Sequence, residues 1–211
     1  MIIQQYEDKY KNQVIALILY LQNFDNRVNL SLEEQPDMNH INEYYLQTNG
    51  GFWIAIDDNG DVVGTLGLLN KYPYGVLKKF FVDARYRGRE GGVSGPLYAK
   101  LLEHAKKCHF KAIVLDTPAA CKRAHGFYKK MGYKKITKDE LPVQYDYPER
   151  DSDLLILKLE NDSQNPDRSE DTEQQKKVEM ILEEADQQAA TTEKLSHETV
   201  FSHARDTVNG K

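Results

Sequence analysis

The chain of 211 residues has few features of a membrane or secreted protein. Its longest aliphatic run, residues 14–19, has six residues, far fewer than the roughly 20 that span a bilayer. Its N-terminal residues lack the basic start and apolar stretch of a signal peptide. Its two cysteines, Cys108 and Cys121, form no CxxC pair and have no metal-ligand spacing. We therefore expect a cytoplasmic location, no metal and no membrane partner.

The charge of the chain is unevenly distributed. The formal net charge is −5, which argues against a nucleic-acid partner bound by general charge neutralisation. The last 51 residues hold 12 of the 33 acidic and 6 of the 28 basic residues. The first 160 residues therefore hold 21 acidic and 22 basic residues. All 13 tyrosines and the single tryptophan also lie before residue 148. The sequence thus predicts one domain over residues 1–160, a polar linker over 161–172 and an acidic, partly helical tail over 173–211.

The first 160 residues predict an α/β fold with a mixed, mostly antiparallel sheet flanked by helices. The apolar patterns place strands and helices in alternation after an antiparallel core of three strands. Asp8 is a candidate helix cap, and Asn59-Gly60 is a strong hairpin turn. The predicted strands are 2–6, 52–56, 62–69, 75–82, 113–115 and 154–159, and the predicted helices are 8–24, 41–46, 96–108 and 119–131.

The strongest local signal is the loop over residues 83–95, between the third of the antiparallel strands and a helix. It holds three arginines and four glycines. Glycines let backbone N–H groups approach a ligand, and a helix start adds free N–H groups and partial positive charge. This combination favours a pyrophosphate site, although a basic surface loop would have the same composition. Neither GxGxxG after the first strand nor a Walker A lysine is present, which argues against a dinucleotide fold or a P-loop.

Two motifs resemble the GNAT superfamily of N-acetyltransferases. Arg89-x-x-Gly92-x-Ser94, preceded by Tyr86-Arg87-Gly88, resembles the acyl-CoA loop of that family. Phe127-Tyr128-x-x-x-Gly132-Tyr133 resembles its second signature and lies about 35 residues downstream, on the expected helix. The resemblance covers roughly residues 1–160.

The resemblance implies an acetyl-CoA-dependent enzyme in which a primary amine attacks the thioester directly in a ternary complex. The backbone near Val82 would pair with the pantetheine arm and polarise the thioester oxygen. Tyr128 would protonate the leaving thiolate, although a role as a packing aromatic is the alternative. The residues assigned to acetyl-CoA are Val82, Arg87, Gly88, Arg89, Glu90, Gly91, Gly92, Val93 and Ser94.

The chain departs from the family where the general base is expected. Many members carry a glutamate near Val76, and none is present here. Glu33, Glu34 and Asp37, on a polar loop, are candidates for binding the acceptor amine or serving as base, and Asp116 at a strand end would orient the substrate. The acceptor would be a small molecule or a peptide amine. A GNAT module that binds acyl-CoA without turnover is the alternative function.

The tail gives a weaker signal. Apolar residues recur at helical spacing from Val178 to Ala189, and the segment resembles the C-terminal, partner-binding part of some bacterial antitoxins. Three interpretations stay open: a segment that recruits a protein partner, a helix for homodimerisation or self-docking, and a loosely ordered acidic extension.

Overall fold

A computed structural model describes residues 1–25, 29–87, 92–147 and 151–159. Seven strands form one sheet in the order β1-β2-β3-β4-β5-β7-β6, and only the β4–β5 pair is parallel. The strands are β1 Ile2–Gln5, β2 Gly51–Ile56, β3 Val62–Lys71, β4 Tyr74–Val82, β5 Ala112–Pro118, β6 Lys134–Ile136 and β7 Ser152–Lys158. The α-helices are α1 Lys11–Tyr20, α2 Pro36–Asn39, α3 Ser94–Lys107 and α4 Lys122–Lys130. The predicted fold class is confirmed.

Four short helical turns complete the described elements. A 3-10 turn, Asp8–Tyr10, leads into α1, and a wide turn over Leu21–Asp25 follows it. Asn42–Leu46 forms a second wide turn where the sequence predicts a short helix. Ala84–Tyr86 forms a 3-10 turn directly after β4. These turns bring the chain back over the sheet on both sides of the site described below.

The sheet is covered on both faces, which explains why every residue of β2 is buried. One face packs against α3 and α4 through side chains such as Leu97, Leu101 and Tyr128. The other face packs against α1 and the turn over residues 42–46, through Ile18, Tyr45 and others. In α3 the buried residues Leu97, Leu101 and Ala105 recur at helical spacing, whereas in α1 all six residues from Val14 to Leu19 are buried.

The hairpin between β2 and β3 forms at the predicted turn. Asp57 accepts hydrogen bonds from the backbone N–H groups of Asn59 and Asp61, both at 2.9 Å. Gly60 has φ +86°, a left-handed conformation that glycine adopts without the steric cost of a Cβ. This turn therefore fixes the register in which β2 and β3 present their residues to the two layers.

Some predicted details are wrong or lie outside the described residues. Asp8 does not cap α1, whose first turn has no side-chain cap; its carboxylate instead accepts hydrogen bonds from Tyr6 Oη and Asn42 Nδ2. Strand β6 and helix α2 were not predicted, since each is too short to show a period. The linker over 161–172 and the tail over 173–211, with its antitoxin resemblance, lie outside the described residues. Within the described part of the chain, no helix is long and apolar enough to cross a membrane.

Candidate active site

Strands β4 and β5 part in the middle of the sheet. Their parallel pairing covers only Tyr74–Val76 against Ala112–Val114, yet β4 continues to Val82 and β5 to Pro118. The gap between residues 77–82 of β4 and 115–118 of β5 is called the β4–β5 cleft below. An extended ligand can enter such a gap and pair with an exposed strand edge, as a strand added to a sheet does.

A β-bulge in β4 helps to shape this cleft. The pairing of β3 with β4 shifts by one residue between Thr65 and Gly67, and Lys79 has φ +53°. Bulges bend a strand and redirect its side chains. The left-handed conformation of Lys79 is held by two hydrogen bonds, from Thr65 Oγ1 to the Lys79 carbonyl (2.8 Å) and from Lys79 Nζ to Gln35 Oε1 (2.6 Å).

The far part of β4 presents backbone groups to the cleft. The Asp83 N–H donates to the Val63 carbonyl on β3 at 2.9 Å. Because successive backbone groups alternate between the two edges of a strand, the N–H and C=O of Val82 point away from β3, toward the cleft. Arg87 Nε donates to the Val82 carbonyl at 2.7 Å. The Val82 N–H thus faces the position at which the pantetheine arm and thioester are expected.

The predicted anion site lies at the start of α3. Val93 precedes this 14-residue helix without a side-chain cap, and the first turn has no acidic residue. The Val93 N–H donates to the Tyr86 carbonyl at 3.5 Å, so the two ends of the glycine-rich loop meet here. A helix start of this kind suits a pyrophosphate, because its N–H groups and dipole favour negative charge.

The arginines of the loop have different surroundings. Arg85 forms a two-point ion pair with Asp83, at 2.8 Å and 3.2 Å, and so has a structural partner. Arg87 is half-buried beside Val82. Gly92, Val93 and Ser94 lie where the loop joins α3, whereas Gly88, Arg89, Glu90 and Gly91 lie outside the described residues. The part of the loop that the structure describes keeps the features predicted for an anion site, a basic side chain and an uncapped helix start.

Tyr128 is buried on α4 and packs edge-on against Phe127 and Tyr133, with ring centroids 5.5 Å and 5.3 Å apart. Burial raises its pKa well above the usual range, and the nearby Tyr98, Asp116 and Cys121 raise it further. Its hydroxyl is therefore protonated throughout the physiological pH range. Among the described residues, no hydrogen-bond partner of this hydroxyl is found, whereas Tyr98 and Tyr133 share a hydrogen bond between their hydroxyls at 3.3 Å.

An ion pair spans the β4–β5 cleft two residues beyond the last parallel pair. Lys78 Nζ lies 2.9 Å from Asp116 Oδ1, and the two side chains are only 16% and 5% exposed. Lys78 Nζ also donates to the Asp146 carbonyl at 3.0 Å and lies 4.8 Å from the centre of the Tyr145 ring. Among the described residues, the buried Tyr145 hydroxyl has no hydrogen-bond partner. Burial, and secondarily the charge of Asp116, raises the pKa of Tyr145.

The acidic loop reaches the bulge through Asp37. Asp37 Oδ1 lies 3.3 Å from Lys79 Nζ, and Asp37 Oδ2 accepts a hydrogen bond from Tyr45 Oη at 2.6 Å. Glu33 and Glu34 are exposed instead. The Glu34 carboxylate accepts a hydrogen bond from the Ser31 N–H at 2.8 Å. A hydrogen bond from the backbone N–H of Glu33 itself, and secondarily one from the Ser31 side chain, lower the pKa of Glu33. Of the three candidate carboxylates, Asp37 is the one that the structure joins to β4.

Sequence reasoning missed Lys78 and Lys79 as residues of the site. A signal was available, since Lys78-Lys79 interrupts an otherwise apolar strand. Two adjacent lysines on a half-buried strand indicate an irregularity, because regular alternation would place one of them in the core. Among the described residues, no group of three or more His, Cys, Asp or Glu side chains is arranged to hold a metal.

The fold and the cleft define an acyltransferase of the GNAT type. Residues 10–133 match the acetyltransferase (GNAT) family, and the chain belongs to this family. The predicted family is confirmed, and with it the predicted enzyme class, since N-acetyl transfer is the activity for which the family is named.

Known proteins similar to this chain include bacterial acetyltransferases and vertebrate enzymes. An acetyltransferase structure from Streptococcus agalactiae is 39% identical, with a TM-score of 0.71, and the match covers 75% of this chain and 98% of that one. A GNAT-family acetyltransferase structure from Staphylococcus aureus is 30% identical, with a TM-score of 0.69, over 75% and 99% of the two chains. N-acetylaspartate synthetase from Xenopus tropicalis is 36% identical over 48% of this chain and 38% of its own length. The chain thus spans well under half of that curated relative.

Proposed function

We propose that this protein is an acetyl-CoA-dependent N-acetyltransferase that transfers the acetyl group directly to a primary amine. The observation that carries the proposal is the β4–β5 cleft, which lies beside the uncapped start of α3. This arrangement suits a long ligand with an anionic end. The edge of β4 would pair with the amide-rich arm, and the start of α3 would bind the phosphates.

Acetyl-CoA would supply an activated thioester and a thiolate leaving group. The Val82 N–H, on the cleft side of β4, would donate to the thioester oxygen, and a fixed donor there stabilises the charge that develops during attack. Tyr128, held protonated by burial, would give its proton to the departing sulfur. The bond to the amine nitrogen forms as the carbon–sulfur bond breaks, so the amine loses one proton and the thiolate gains one.

The proton leaving the amine needs an acceptor, because the strand glutamate common in the family is absent. Asp116 is the candidate that the geometry favours. Its carboxylate lies in the cleft, 2.9 Å from Lys78 Nζ, and its charge acts on the hydroxyl of Tyr128. Glu33 and Glu34 are less suitable, since both are exposed on a separate turn.

The test is release of free thiol from acetyl-CoA with a panel of amines, using the full chain. Several relatives are named N-acetylaspartate synthetase, so the panel includes amino acids beside polyamines, aminoglycosides and peptides. Amine-dependent thiol release together with an acetylated product supports the proposal. Tight CoA binding with no turnover by any of these amines would favour a module that binds acyl-CoA without catalysis, for which the missing glutamate is the argument.

A further inference from the structure

The Lys78–Asp116 ion pair has a consequence for the acceptor. We infer that the acceptor is a free amino acid, whose ammonium group binds Asp116 and whose carboxylate binds Lys78. This inference rests on the proposed function, because it concerns the second substrate of the same cleft.

The position of the pair is the first reason. Val76 and Val114 are the last residues that join β4 to β5, and Lys78 and Asp116 are the next residues on the same face of the two strands. The pair therefore spans the closed end of the cleft. An amine that attacks a thioester held between the strands has to approach this point.

Charge balance is the second reason. An acceptor with only an ammonium group would take Asp116 from Lys78 and leave a lysine whose side chain is 16% exposed without an anionic partner. The other contacts of Lys78 are the Asp146 carbonyl and the face of the Tyr145 ring, and neither carries a full negative charge. Removing one partner of a largely buried pair is costly, because the remaining charge stays poorly solvated. An amino acid avoids this cost, since it supplies a new partner to each side.

The Tyr145 hydroxyl is the third and independent observation. It is buried and has no hydrogen-bond partner in the part of the chain that the structure describes, whereas buried hydroxyls in native proteins nearly always have one. The ring that carries it lies 4.8 Å from Lys78 Nζ. A carboxylate on Lys78 would have a second donor close by. A carboxylate would accept the hydrogen of this hydroxyl, whereas the ammonium group of a polyamine or a lysine side chain could only donate to its oxygen.

The experiment compares each amino acid with its carboxamide in the thiol-release assay, with the full chain and saturating acetyl-CoA. The carboxamide keeps the side chain and the amine but loses the negative charge. Its amine is also less basic, so a preference for the acid cannot arise from easier deprotonation. We expect the best amino acid to exceed its carboxamide in kcat/KM by about tenfold to a hundredfold, as expected for hydrogen bonds between charged groups.

The variant Lys78→Met removes the charge and keeps most of the chain length. We expect it to abolish the preference, lowering kcat/KM for the amino acid by about tenfold to a hundredfold more than for the carboxamide. The control is Lys135→Met, because Lys135 is also a strand lysine paired with an aspartate, Asp153, but is 67% exposed on β6. This control should keep the wild-type preference. Melting temperature and CoA affinity verify that each variant is folded.

The outcomes separate this inference from the proposed function. If carboxamides or simple amines react as well as amino acids, or if Lys78→Met slows acid and carboxamide equally, the inference is wrong and the acetyltransferase proposal stands. If no amine is acetylated, the proposed function fails, and binding decides the inference. In that case an amino acid must raise the melting temperature of the CoA-loaded wild type more than its carboxamide does. Equal shifts would overturn the inference.

Discussion

The substitution Tyr128→Phe tests the proposed general acid most directly. It removes a hydroxyl but keeps the ring that packs against Phe127 and Tyr133. Proton donation by a positioned side chain contributes about 10²- to 10⁴-fold to a rate, so we expect kcat to fall at least about a hundredfold. CoA affinity should stay within about twofold, because the phosphates and the pantetheine arm would bind α3 and β4 rather than α4.

The same substitution should have little effect on stability. The Tyr128 hydroxyl has no hydrogen-bond partner among the described residues, so its removal breaks no hydrogen bond in that part of the chain. We expect the free energy of unfolding to change by less than about 1 kcal/mol, measured by urea denaturation. A large loss of activity with nearly constant stability is the result that identifies a role in chemistry.

Tyr133→Phe is the matched control. Tyr133 is also buried and also packs against Tyr128, but its hydroxyl bonds to the Tyr98 hydroxyl at 3.3 Å. Removing it should cost about 0.5–1.5 kcal/mol of stability and leave kcat near the wild-type value. Our reasoning is refuted if Tyr128→Phe retains wild-type turnover, or if Tyr133→Phe lowers kcat as much as Tyr128→Phe does. Either result would assign Tyr128 a packing role rather than a role as general acid.

Three further predictions concern the scaffold. Lys79→Met should lower the free energy of unfolding by about 3 kcal/mol in urea denaturation, since Asp37 would keep a largely buried charge without its partner. Adding Asp37→Asn should recover part of this loss. Equal stability of the wild type and the single variant would contradict the prediction. Gly50→Ala should destabilise the fold by at least about 1–3 kcal/mol, because a Cβ would lie 2.3 Å from the Leu68 carbonyl oxygen and 2.7 Å from that of Tyr45. A variant with the melting temperature of the wild type would show that the backbone shifts to accommodate the Cβ. Alkaline pH should unfold the protein. Burial raises the pKa values of Tyr98, Tyr128 and Tyr133 above that of an unfolded tyrosine, which is near 10. Their stabilising effect is therefore complete below about pH 10 and is lost as the pH rises toward the pKa values of the folded state. Phenolate absorbance and circular dichroism should therefore change together, and titration of all tyrosines without unfolding would argue against this.

Local sequence was enough to predict the parts of the fold that local forces decide. The turn at Asp57–Gly60 depends on a side chain that bonds its own backbone and on a glycine with positive φ, and both are visible in four residues. The apolar face of α3 follows from helical spacing. The acyl-CoA loop and the helix with Tyr128 were recognisable because their chemistry depends on residue types at fixed short spacings.

Sequence by itself therefore determined the family and the order of the main elements, and it located the loop that we propose binds the phosphates. Only the tertiary structure decided what occupies the acceptor side of the cleft. Lys78 and Asp116 are 38 residues apart, and Lys79 and Gln35 are 44 apart, so no local pattern predicts either contact. The bulge that places Lys79 depends on the register between β3 and β4, which sequence periodicity does not encode. For this reason the sequence shows only that the strand glutamate is absent. In the folded chain, the Lys78–Asp116 ion pair lies two residues beyond Val76, where β4 and β5 part.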